Sequence, residues 1–277
     1  MLSQDCTVSS VAAAARAHMR DIDSEASIGL IDKVSVFVEE LFAGLHPDYQ
    51  KADLKYHNLD HTVLATQCFI DLCKGRVRHR ENPVLNARQF ALGYAAILLH
   101  DSGYLKTRDD VTGTGAKYTS SHVVRSCALA ASALPGLGCT ADEIGCVQNA
   151  IRCTGVTSKI AEIEFRSDVE RLTGCMVATA DYLGQMADPD YPTKLPGLFE
   201  EFEESNNFSR VPFETRPFRS AKELMAKTTG FWKGFALPKL EKDYEGLYRV
   251  LAQPDGSNPY LEAVERNLVR IAALAAE

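Results

Sequence analysis

No uninterrupted apolar stretch of this 277-residue chain is long enough to cross a bilayer, which excludes a membrane-spanning helix. Positive charge is in deficit. Thirty Lys and Arg against 37 Asp and Glu leave a formal net charge of −7, which argues against broad, phosphate-dominated nucleic-acid binding. A small anionic substrate stays open, because a bound metal and a few local cations dominate the field inside a pocket. Paired cysteines are missing as well. Cys6, Cys68, Cys73, Cys127, Cys139, Cys146, Cys153 and Cys175 stand singly with no C-x-x-C, so neither a zinc knuckle nor a disulfide framework is expected, and a reducing cytoplasm fits best. The N-terminal segment lacks a basic region followed by an apolar run, and its Ala-rich part reads as a helix rather than a signal peptide. Repeats, low-complexity tracts and linkers are absent, and strand signals are scarce.

What is there is helix pattern punctuated by Gly, Pro and Asn. Helices are expected over about Ser9 to Met19 and Ser27 to Leu45, then from the His57 region through Cys73 to a stop near Gly75. Further helices run from Val84 to about Leu99, from Thr119 (Ser120 and Ser121 as candidate caps) to Leu134, and from Thr140 or Asp142 to near Gly155. The remaining ones cover about Ser167 to Met186, Lys194 to Glu204, Ser220 to Phe235 and Asn258 to Ala275, with a charged loop at Lys106 to Gly115. The Val84–Leu99 segment leaves little polar face and belongs in the centre of a bundle. The expectation is one all-α domain over residues 1–277, with a core at about 50–190 and a C-terminal helical extension at about 191–277.

The chemistry-bearing stretches are Tyr56-His57-Asn58-Leu59-Asp60-His61 and His100-Asp101-Ser102-Gly103-Tyr104. His57 and His61 are four apart and on a helix would share one face. Imidazole nitrogen with carboxylate oxygen suits a divalent transition metal that keeps positions for water and substrate. Asp181 lies in an otherwise apolar helical segment, where a buried carboxylate needs a partner; a metal is one, an arginine another. Each of these residues alone has an ordinary structural reading, as a hydrogen-bonded His, a helix-end pair or a salt-bridged Asp. Their order, His-x3-His, then His-Asp, then Asp on an apolar helix, favours a metal site.

That ordered pattern resembles the HD-domain metal-dependent phosphohydrolases, and the YHNxxH element is similar to that of the 3′,5′-cyclic nucleotide phosphodiesterases of the same superfamily. The resemblance covers roughly Tyr56 to Asp190. It implies a helical HD-type bundle with the metal on His61, His100, Asp101 and Asp181, and with Asp101 bridging to a second ion completed largely by waters. His57 matches the position that protonates the leaving oxygen in the phosphodiesterases. Imidazole, with an unperturbed pKa near ~6.5, suits an acid working close to neutrality.

The implied reaction is hydrolysis of a small phosphate ester, including a nucleotide or cyclic nucleotide, by water activated on one or two divalent ions (Mn, Fe, Ni, Co, Zn or Mg). Lys106, His122 and Arg125 are candidate substrate-binding residues, with His122 also a candidate ligand of a second ion, and Asp188 and Asp190 are candidates for the pocket mouth. The chain departs from the phosphodiesterases in lacking a further His after His100-Asp101 and in its length. Arg152 lies where some HD families carry another His ligand. Two other readings follow: a diiron HD-fold oxygenase, which wants His122 and a second His from the Arg152 region, and a non-catalytic nucleotide-binding sensor. The expected partner is a small phosphorylated substrate, with no membrane and no broad nucleic-acid binding, and the oligomeric state is not readable from the sequence.

Overall fold

The helix Ala87–Leu99 (here α4) is buried along nearly its whole length, from Phe90 through Tyr94 to Leu99, and five other helices pack around it. The computed structural model describes residues 6–276, and those residues are all helix, turn and loop, with one isolated bridge between Tyr49 and Thr107. In chain order the α-helices are α1 Val8–Ile22, α2 Gly29–Phe42, α3 Leu59–Arg78, α4, α5 His122–Ala133, α6 Ala141–Thr154, α7 Asp168–Met186, α8 Tyr191–Phe208, α9 Ala221–Phe231, α10 Leu237–Lys242 and α11 Pro259–Ala276. The all-α class is therefore as expected. No described helix is long and apolar enough to cross a membrane.

Local chemistry explains where several boundaries differ from expectation. Asn58 is extended and its side chain accepts from the His61 amide at 3.2 Å, so α3 begins at Leu59 and His57 lies before the helix, not on its face. Gly75 does not end α3, which runs on to Arg78. A Cβ there would come within 2.2 Å of the Val250 carbonyl oxygen, so the glycine serves close packing instead. Asn86 and Gln89 form a reciprocal capping box that starts α4 three residues later than Val84. Residues Gly115–Tyr118 make a short 3-10 turn, so α5 starts at His122 and not at Thr119. Thr140, not Asp142, caps α6. Gly174 leaves α7 uninterrupted, α8 begins at Tyr191, and a five-residue π-helical segment, Trp232–Ala236, carries α9 on into α10.

The packing that positions the site is α3 against α7. A Cβ at Gly184 would meet the Ala65 Cα at 2.6 Å, so this glycine sets how closely the two helices approach next to His61 and Asp181. The C-terminal segment is tied to the same place. Asn267 of α11 donates to the Met186 and Asp188 carbonyls at 2.9 and 2.6 Å, holding the end of α7.

One core residue carries a pH dependence. His18 of α1 is 4% exposed and packs edge-on against Phe90 at 4.8 Å between ring centroids. Burial, helped by nearby Lys74, pulls its imidazole down to about 4. The unfolded chain, titrating near ~6.5, takes up the proton first as pH falls, so stability present above that value is lost on the way to the folded value. The full difference corresponds to about 3 kcal/mol. Urea unfolding midpoints should fall between pH ~6.5 and ~4, and His18→Gln should flatten that slope. An unchanged slope in the variant would show that other groups govern acid unfolding.

Candidate metal centre

Four side chains from three places in the chain meet in one buried spot. His61 sits in the first turn of α3, His100 at the C-terminal end of α4, Asp101 on the turn that follows, and Asp181 on α7. His61 Nε2 lies 3.2 Å from both Asp101 Oδ2 and Asp181 Oδ1, and His100 Nε2 lies 3.3 and 3.4 Å from the same two oxygens. The two imidazole nitrogens are 3.3 Å apart. Ligands held about 2.0–2.2 Å from one ion stand roughly 3.0–3.5 Å from their neighbours in the shell, so this spacing fits a divalent metal. His61, His100 and Asp101 form a fully buried trio that could hold the ion, and Asp181, 9% exposed, closes on it from α7.

The donor set also passes a chemical test. Asp101 Oδ2 is buried with no hydrogen-bond partner, an orphaned acceptor in the middle of the cluster. His100 Nδ1–H donates to the Ile97 carbonyl at 2.7 Å, which leaves the Nε2 lone pair facing the cluster. Burial opposes charge on every member, yet mutual attraction wins. The neighbouring Asp101 and Asp181 carboxylates hold His61 up at about 9, and the His100 charge keeps Asp181 down at about 2. Two ionised carboxylates held among imidazoles take either protons or a divalent cation.

The turn after Asp101 is fixed by α5. Ser126 Oγ donates to the His100 carbonyl at 2.5 Å and accepts from the Gly103 amide at 2.8 Å. A Cβ at Gly103 would stand 1.9 Å from the His122 carbonyl oxygen, so only glycine fits where α5 crosses the turn. Arg125 Nε and Nη2 donate to the Gly103 and Leu105 carbonyls at 2.6 and 2.7 Å, and its guanidinium lies over Tyr118. Arg125, expected at the substrate, is thus a clamp on the metal-site turn, because these carbonyls need donors. Lys106 is likewise engaged: its ammonium is 3.0 Å from Asp53 and donates to the Gly113 carbonyl at 2.6 Å. Neither presents a free cation to a substrate.

His122 does reach the cluster. Its Nε2 is 3.7 Å from Asp101 Oδ1, the oxygen turned away from the four-residue group, while Nδ1–H donates to the Thr119 carbonyl at 2.7 Å. Burial pulls this imidazole below its ordinary value, which favours the neutral form with a free lone pair. Arg152 brings nothing to the cluster: it is exposed and bonds Asn149.

His57 lies beside the four residues without belonging to them, its ring 5.6 Å from that of His61 and stacked on Tyr104 at 4.6 Å. Its Nδ1 is 2.6 Å from Glu201 Oε2, while Glu201 Oε1 accepts from the Tyr56 amide at 2.6 Å. Glu201 is 4% exposed on α8. Sequence reasoning missed it, since it sits in the acid-rich run Glu200-Glu201-Phe202-Glu203-Glu204. The one available signal was its place at the edge of the stripe Leu195, Leu198, Phe202, Ser205. The segment expected as an extension therefore supplies part of the site. Gln185 was also missed; it accepts from the Tyr56 hydroxyl at 2.8 Å and donates to the Asp181 carboxylate at 3.3 Å. A small pocket next to His61 is lined by Tyr56, Gln185, Asp188, Tyr191 and Lys194, with Asp188 ion-paired to Lys194 at 2.6 Å. Asp190 is set in the turn, its amide donating to Asp188 Oδ1 at 2.9 Å.

No curated protein matches the chain. Over residues 112–248, a stretch that holds His122, Asp181 and Glu201 but not His57, His61, His100 or Asp101, the chain is similar to the family described as Npun_R2479-like.

Proposed function

We propose that this protein is a metal-dependent phosphohydrolase of the HD type, acting on a small phosphate mono- or diester. The observation that carries this reading is the buried group His61, His100, Asp101 and Asp181 at 3.2–3.4 Å spacing, with His57 beside it on its own carboxylate. A divalent ion, when bound, supplies Lewis acidity toward phosphoryl oxygens and lowers the pKa of water. His61, His100, Asp101 and Asp181 would hold that ion; His100 keeps its tautomer through Ile97, and Gln185 steadies Asp181. Asp101 Oδ1 and His122 Nε2 form a second donor pair, suited to a second ion or to a phosphate oxygen. Glu201 takes the Nδ1–H of His57 and leaves Nε2 to carry a proton to the departing oxygen as water replaces it on phosphorus. Tyr104, stacked on both His57 and His122, keeps the two rings apart and oriented.

The deciding experiment loads the protein with manganese and assays a panel of phosphate mono- and diesters, 3′,5′-cyclic nucleotides included. Turnover that a chelator stops and metal restores is expected. A stoichiometrically loaded protein that hydrolyses none of them would leave the nucleotide-sensor reading. Dioxygen consumption by the iron-loaded protein, without hydrolysis, would instead favour the diiron oxygenase.

A further inference from the structure

At the other end of the α3–α7 pair lies a second cavity, which the proposed reaction does not use. It is a cleft of about 520 Å³ between the last turn of α3, the turn after it, the first turn of α7 and the 245–250 segment. Clefts of roughly 300–1,000 Å³ are the size of small-molecule sites. Three arginines from three separate elements line it, Arg76, Arg171 and Arg249, together with Glu81, Asp168 and Glu245. Arg76 stands fifteen residues after His61 on the same helix, about 22 Å along its axis, so the cleft is distinct from the metal centre.

Arg76 is the unexplained group. It is 6% exposed, its Nη2 donates only to the Pro83 carbonyl at 2.9 Å, and its Nε is buried with no partner. The other two cations are accounted for: Arg171 pairs with Glu245, and Arg249 with Glu241. No carboxylate among the described residues comes within ion-pair distance of Arg76, and the Glu81 and Glu245 charges act on it only from farther off. A buried guanidinium without an anion is costly, and its planar fork is shaped to receive an oxyanion. The wall facing it is rigid. Gly75 is pressed against the Val250 carbonyl, which also accepts from Arg78 at 3.3 Å. Glu81 and Asp168 are exposed at the rim and unpaired, acceptors for hydroxyl or amino donors.

We propose that this cleft binds a small molecule through a phosphate or carboxylate head group placed on Arg76, with its hydroxyl or amino donors turned to Glu81 and Asp168. The proposal stands on the cleft alone and does not depend on the metal centre being catalytic.

The test titrates inorganic phosphate, ribose 5-phosphate and succinate, at matched ionic strength, into the full chain and into Asp101→Asn, following melting temperature and binding heat. A saturable shift with phosphate or succinate, equal in both proteins, is expected, and the stronger of the two names the head group. Arg76→Lys should weaken it tenfold or more, and Glu81→Gln with Asp168→Asn should weaken ribose 5-phosphate several-fold relative to inorganic phosphate. Those two rim residues are exposed, so their variant decides the matter if Arg76→Lys fails to fold. Absence of saturable binding would overturn the proposal. So would binding that vanishes in Asp101→Asn but survives in Arg76→Lys, since the anion would then sit at the metal centre.

Discussion

Asp101→Ala is expected to purify without metal, and the parent chain with close to one ion per molecule, both read by elemental analysis. Asp101 touches both imidazoles with one oxygen and faces His122 with the other, so it joins His122 to the four-residue group. Removing it leaves His61 and His100 with Asp181 alone, one negative charge where two opposed the ion. Removing one side of a buried charged pair also costs about 3–5 kcal/mol, so loss of metal must be separated from loss of fold. Asp101→Asn keeps the volume, and far-UV circular dichroism with a thermal melt establishes whether the variant is folded. A folded Asp101→Asn with no metal assigns the ligand. A folded variant with the parent's metal content would remove Asp101 from the centre, and with it the case for the proposed reaction. Acid should act in the same direction. Protons compete for the same donors, so the parent should release its ion as pH falls.

The four residues of the candidate centre could be found in the sequence because each carries its chemistry in its residue type and its place in a pattern. His100-Asp101 stands where an apolar helix must end, and Asp181 is a carboxylate in a run too apolar to hold one without a partner. The all-α class was legible for a related reason: apolar residues recur at helical spacing through most of the chain. What could not be read depends on contacts between distant segments. Glu201 is one acid in a run of four, and only the docking of α8 against the Tyr56–His57 strand of chain buries it and gives it a task. Lys106 looked like a substrate cation by sequence proximity to Asp101, and Arg125 by lying about one turn after His122. Their partners, Asp53, Gly113, Gly103 and Leu105, are set by how the loop folds back, which spacing does not encode. His57 and His61 were expected on one helical face, yet a capping asparagine between them ends that logic. The two rings still meet, through the bend in the chain and not the helical repeat. Gly75 shows the same limit: a glycine that reads as a stop is a point of contact once Val250 arrives.

His57→Ala should keep its metal and lose activity according to the leaving group. On alkyl phosphate esters, whose leaving oxygen needs a proton, the loss should be roughly 10²–10⁴-fold, the ordinary worth of a general acid. On aryl esters with acidic phenols the loss should be small. Glu201 acts through His57, so it is a positioning residue and its variant should carry the same signature at lower amplitude. Glu201→Gln keeps an acceptor for the Tyr56 amide but withdraws the charge behind Nδ1, and an effect of about 10–100-fold on the alkyl esters is expected. In the double variant the two losses should not add, because removing the imidazole removes what Glu201 holds. Tyr104 provides a control: it packs on the same ring without exchanging its proton, so Tyr104→Phe should leave the leaving-group dependence unchanged. If Glu201→Gln slowed alkyl and aryl esters equally, with a lowered melting temperature, its role would be to anchor α8 to the chain before α3. Equal losses for His57→Ala on both ester classes would remove it as the proton donor and leave the four ligands as the whole of the catalytic apparatus.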